Sequence, residues 1–178
     1  MKKISLGDCI YEFHCDPQLL LESQNNLNSL KSEMSWTETV PGDLVSIKLG
    51  YMDKNFTIPY YDDKLFSWLQ QCIDSIVQEE LPGTSLAICD SWLTRLSFGQ
   101  ASIAPHTHAC SVLSGVFYFT SRENTFTTFY RKSYLDKFAT AFFSHNNRPV
   151  DMKDFERNKF VSVSEAGKLL LFPSDMHH

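Results

Sequence analysis

No apolar run in the 178-residue sequence approaches the ~20 positions that a membrane-spanning helix requires, so no membrane partner is expected. Positive charge is also scarce, with 16 Lys+Arg against 21 Asp+Glu and a formal charge of −5. A general nucleic-acid binder displaces counterions with a basic footprint, and a composition this acidic does not supply one. The cysteines are few and unpatterned. Cys9, Cys15, Cys72, Cys89 and Cys110 are odd in number, show no CxxC spacing and follow no cleavable signal, which predicts a reducing cytoplasm. Repeats, low-complexity tracts and signs of a second domain are absent as well. What is abundant is apolar surface. With 43% hydrophobic residues, including 14 Phe, 7 Tyr and 3 Trp, the chain can bury a sizeable core without disulfides.

Asp16-Pro17 places a capping residue before a Pro at the first helical position. Leu19, Leu20, Leu27 and Leu30 follow at near-helical spacing, which predicts a surface helix over 17–32. Residues 36–61 carry Pro41-Gly42, Gly50 and Pro59 and read as loop with one or two short strands. Beyond them, Leu65, Phe66, Leu69, Cys72, Ile73, Ile76 and Val77 mark one face of a helix capped by Asp62 or Asp63 and stopped at Pro82-Gly83. After Gly83 the pattern is β: 91–99 alternates, and 112–120, 125–130, 159–163 and 168–172 are rich in β-branched, aromatic and aliphatic residues. These signals predict a mainly β fold with flanking helices, the N-terminal helices packing on one face. Trp92, Phe98, Phe117 and Phe119 are assigned to its packing. Residues 134–158, with Phe138, Phe142 and Phe143 beside Asn146-Asn147-Arg148-Pro149, form a long mixed stretch that reads as an insertion or lid.

Two histidine pairs stand out. In an extended segment His106 and His108 project to the same face and can converge on one ion. Neutral imidazole suits Fe(II), Zn, Cu or Ni, and a third ligand from a distant strand would leave open positions for substrate. The same pattern also describes two merely polar loop histidines. The C-terminal run Gly167 to Phe172 reads as a buried strand that turns at Pro173 and presents His177 and His178, the kind of distal ligand that the first pair cannot provide alone.

In combination, Ser91-Trp92 to Gly99, His106-Thr107-His108, Ser114-Gly115-Val116-Phe117-Tyr118 and Leu171-Phe172-Pro173-Ser174-x-x-x-His178 resemble the 2-oxoglutarate and Fe(II)-dependent oxygenase superfamily. The resemblance is strongest to a phage and bacterial subgroup with an HxH, a following SGVxY and a later LFPSxxxH, and it covers about half of the chain. It implies a double-stranded β-helix (a jelly roll, or cupin-like barrel), Fe(II), 2-oxoglutarate as co-substrate, and succinate and carbon dioxide as co-products. On this basis 1–178 is one oxygenase-like domain, with a helical, capping part at 1–83 and a jelly-roll core at 84–178. The localisation is cytoplasmic, in the host if the chain is phage-encoded. The expected partners are a small-molecule or peptide substrate and a second copy in a homodimer.

Carried over residue by residue, the resemblance makes His106, His108 and His178 the catalytic metal ligands. His108 stands where the superfamily usually has a carboxylate, which leaves the set one negative charge short. Asp175 and His177 are alternative contributors. The superfamily commonly anchors the distal carboxylate of 2-oxoglutarate with an Arg or Lys on a strand beyond the distal histidine. That strand is not within these residues, so the core is expected to lack its last strand here and the natural chain to continue. Tyr118, Arg95 and Arg131 are the candidate co-substrate contacts. Two other readings share the architecture: a three-histidine cupin-type metal enzyme, although Ser111, Val112 and Leu113 stand where a cupin glutamate belongs, and a non-catalytic jelly-roll binding or virion-associated protein.

Overall fold

The apolar run Leu169-Leu170-Leu171-Phe172 lies at the centre of the largest sheet in a computed structural model that describes residues 1–5, 9–30, 37–40, 44–49, 62–96, 106–130 and 159–178. The described strands are β1 (Lys2–Ser5), β2 (Cys9–His14), β3 (Thr37–Val40), β4 (Leu44–Leu49), β5 (Ser91–Leu96), β6 (Leu113–Phe117), β7 (Phe126–Tyr130), β8 (Lys159–Val163) and β9 (Lys168–Pro173). Two helices, α1 (Pro17–Leu30) and α2 (Asp63–Glu80), complete the described elements. All recorded pairings are antiparallel, so the protein is β-rich with two helices. The chain divides into two compact units, Met1–His14 with Pro105–His178, and Cys15–Ala104.

In the first unit the order is β1-β2-β9-β6, with β7 and β8 forming a separate ribbon. Every residue from Lys168 to Phe172 is buried, as expected of a strand covered on both faces. Its neighbours come from opposite ends of the sequence: Leu171 sits opposite Tyr11 on one side and Gly115 on the other. Ile10, Phe129, Leu170, Phe172 and Met176 form one core cluster, so the ribbon's Phe129 packs onto the sheet. The strands β1 and β2 correct the expectation that the first third is helical. Lys2-Lys3 and Glu12 give this stretch little apolar periodicity, and its partner lies far downstream, where a local pattern carries no trace of it.

Gly115 shows why the SGV segment needs a glycine. A Cβ there would sit 2.7 Å from Leu171 Cδ2 and 3.3 Å from the Leu170 carbonyl oxygen. Leu171 is only 5% exposed, so its side chain has little room to retreat. Gly115→Ala should therefore cost about 1–3 kcal/mol through overpacking. A lowered urea midpoint at constant m-value would show it; an unchanged midpoint would mean that the strands separate freely at this point.

In the second unit α1 begins as expected, with the Gln18 N–H donating to Asp16 Oδ1 at 2.8 Å and the Leu20 N–H to the Asp16 carbonyl at 3.0 Å. Asp62 caps α2 by accepting from the Leu65 N–H at 2.9 Å. The helix ends where the Leu81 N–H returns to Val77 O, ahead of Gly83 at φ +85°. Leu65, Cys72, Ile73, Ile76 and Val77 are its buried face. Burial pushes the Cys72 thiol up to about 12, which leaves it a packing group. A sheet of order β3-β4-β5 follows, in agreement with two short strands before α2. Trp92 departs from its expected packing role, since it is 39% exposed. Phe98 and the whole of 131–158, including Arg131, Arg148, Phe138, Phe142 and Phe143 of the expected lid, lie outside the described residues.

Candidate metal centre

The turn that follows β9 runs beside the segment that precedes β6. His106 N–H donates to His178 O at 3.1 Å and His178 N–H returns to His106 O at 3.2 Å, so the two residues face each other as a hydrogen-bonded antiparallel pair. Nearer β9 the His108 N–H donates to Ser174 O at 2.9 Å, and the Ser174 N–H to Val112 O at 3.1 Å. On the other side Tyr130 N–H donates to His177 O at 2.9 Å, which joins β7 to the same turn. The histidine spacing predicts the third ligand on a distant strand. Instead it stands directly opposite the first, because cross-strand neighbours put their Cβ atoms about 5 Å apart and imidazoles on one side then meet.

One ring nitrogen from each of His106, His108 and His178 lies within 4.8 Å of the others. His108 Nε2 and His178 Nε2 are 3.3 Å apart. Two nitrogens bound at right angles to one ion, at bond lengths of about 2.1 Å, would be ~3 Å apart, so this pair already has the spacing of adjacent ligands. The protonation of His178 follows from its other nitrogen. Nδ1 lies 3.0 Å from the Met176 carbonyl oxygen, which can only accept, so Nδ1 carries the proton and Nε2 turns its lone pair toward the cluster. Burial drives the His178 pKa down to about 4. Burial, and then the charge of His106, also lower that of His108. Both shifts favour the neutral ring, the form that binds a metal. Phe172 and Phe129 flank the His178 ring at centroid distances of 4.5 and 6.2 Å. Donor type, spacing and tautomer all fit a divalent transition-metal ion.

Tyr118 packs against the core cluster, and its hydroxyl donates to Thr127 Oγ1 at 2.6 Å. It follows the far end of β6 from the histidines, since its N–H bonds to Lys168 O. Arg95 lies on β5, in the second unit. Asp175 is exposed on the turn, and His177 is half-buried with Nδ1 unpaired. Serines to which the sequence pattern assigns no role also shape the centre. Ser174 is 2% exposed and bonds through Oγ to both Ser111 and Ser114 at 2.8 Å. Its signal was present, because Ser114 and Ser174 are the serines of the two motifs that flank the site.

An antiparallel β scaffold brings three imidazoles close enough together that they could hold a single metal ion. The sequence model of the family described as "Putative 2OG-Fe(II) oxygenase" matches residues 90–178, half of the chain. The chain belongs to that family, and all three histidines fall within the match. No curated protein matches it.

Proposed function

We propose that the protein is an Fe(II)- and 2-oxoglutarate-dependent dioxygenase that couples oxidative decarboxylation of 2-oxoglutarate to hydroxylation of a small-molecule or peptide substrate. The observation that carries this reading is the convergence of His106, His108 and His178 in a chain of the oxygenase family. In this reading 1–178 is a single oxygenase-like domain with a double-stranded β-helix core. The three histidines hold the metal through ring nitrogens. His178 keeps its orientation through the Nδ1–H bond to Met176 O, while Phe172 and Phe129 keep water from its flank. Bound iron supplies the redox chemistry that links decarboxylation to substrate oxidation. Arg131 remains the chain's candidate for the co-substrate carboxylates, with Asp175 and His177 as alternative contributors to the metal set.

The experiment is spectroscopic. Anaerobic Fe(II) plus 2-oxoglutarate should give the weak visible charge-transfer band of a chelated co-substrate, and a folded protein that binds iron without this band would sink the proposal. That second outcome is the behaviour of a three-histidine cupin-type enzyme, a reading favoured by His108 standing in the usual carboxylate place. A folded protein that retains no metal would instead be a jelly-roll binding module.

A further inference from the structure

Among the described residues Ser174 makes four hydrogen bonds, all to partners within residues 108–114. Its N–H donates to Val112 O, its carbonyl accepts from the His108 N–H, and its Oγ accepts from Ser111 Oγ and bonds Ser114 Oγ. Ser174 stands between β9 and His178, while the 108–114 segment joins His108 to β6. The hydroxyl therefore stitches together the two pieces of chain that must bring their histidines to one point. It is buried, where a hydroxyl without partners would be costly, and both of its neighbours satisfy it.

A second observation shows that the joined segment is held rather than self-determined. Cys110, midway between His108 and β6, adopts φ +66°, a left-handed conformation that a cysteine disfavours. Such a residue persists where its surroundings impose the conformation, and the serine bonds on either side of the segment's next turn are surroundings of that kind. Backbone bonds at His106 and His178 fix one end of the histidine pair. The position of His108 depends on the other end, where Ser174 is the clamp.

We infer that Ser174 is a positioning residue whose buried hydroxyl, bonded to Ser111 and Ser114, sets the metal affinity of the three-histidine centre by holding His108 at ligand distance from His178. The inference rests on reading that centre as a metal site. A site whose supporting bonds are lost loosens by about 1 Å, which is large against the 3.3 Å between His108 and His178 nitrogens. Loss of such supporting partners typically weakens metal binding about 10- to 100-fold.

The test compares the full chain with Ser174→Ala, Ser111→Ala, Ser114→Ala and the Ser114→Ala/Ser174→Ala double variant. Two readouts are used: anaerobic equilibrium dialysis with Fe(II) alone, and amide hydrogen exchange of the metal-free protein. Ser174→Ala should weaken Fe(II) binding about tenfold or more. Ser111→Ala and Ser114→Ala should each weaken it less, and the double variant should be no weaker than Ser174→Ala, because the Ser114 bond is already gone. In the metal-free protein the His108 amide should lose protection in Ser174→Ala while that of Leu170 keeps it. Unchanged affinity in a folded Ser174→Ala protein, additive losses in the double variant, or a uniform loss of protection would each overturn the inference. If Ser174→Ala does not fold, the two single variants, which each remove one bond, decide by the same affinity criterion. If the wild-type chain binds no Fe(II), the metal-site reading fails, and the exchange data alone decide whether the clamp exists.

Discussion

His106→Ala and His178→Ala should each abolish stoichiometric iron retention while leaving the β signature of the fold in place. Two imidazoles remain in either variant, and neutral nitrogens without a carboxylate offer a divalent ion no compensating charge. The backbone pairing between residues 106 and 178 uses only main-chain groups, so it survives truncation of either ring. The cost in stability is expected to be ordinary for a half-buried side chain, about 1 kcal/mol. Metal analysis after desalting, set beside far-UV circular dichroism, measures both quantities. Stoichiometric iron in a folded variant would remove that histidine from the ligand set.

Phe172→Ala is the substitution with the largest expected effect on stability. Phe172 is fully buried, meets the Phe129 ring edge-on at 4.9 Å, and forms part of the cluster with Ile10, Leu170 and Met176. Emptying that space should cost about 3–5 kcal/mol, the lost transfer energy plus the cavity left behind. The same ring lies 4.5 Å from His178, so the variant should also hold metal more weakly at temperatures where it is still folded. Denaturant unfolding gives the first quantity and dialysis the second. A loss below about 1 kcal/mol would mean that the core can collapse around the gap and is not centred on this residue.

Much of this architecture was legible because its signals are local. Asp16-Pro17 and Asp62 are caps that act on the residues immediately after them, and the face from Leu65 to Val77 repeats at helical period. The strands at Lys159–Val163 and Lys168–Pro173 announce themselves by composition. What the sequence hides is pairing. Nothing in Cys9–His14 indicates that it lies beside Lys168–Pro173, and nothing in HxH indicates that His178 is its ladder neighbour rather than a residue across the sheet. Family resemblance singled out the histidines, while their common position depends on backbone bonds that carry no side-chain signature. The serines around Ser174 lay inside recognised motifs, yet only geometry turns two motif letters into one hydrogen-bonded cluster.

The central place of β9 has a kinetic meaning. Its partner β2 is separated from it in sequence by the whole of the second unit, and its partner β6 by residues 118–167 of the first. Closing loops of that size costs only logarithmically more free energy than closing short ones, but contacts so distant in sequence slow the search for the native pairing. During that search β2 and β6 each present an edge with unpaired N–H and C=O groups, one able to join other chains until β9 fills the gap. Because His178 follows β9 and the other two histidines precede β6, assembly of the three histidines is tied to the pairing of these two strands, and any delay there prolongs the exposure of both edges.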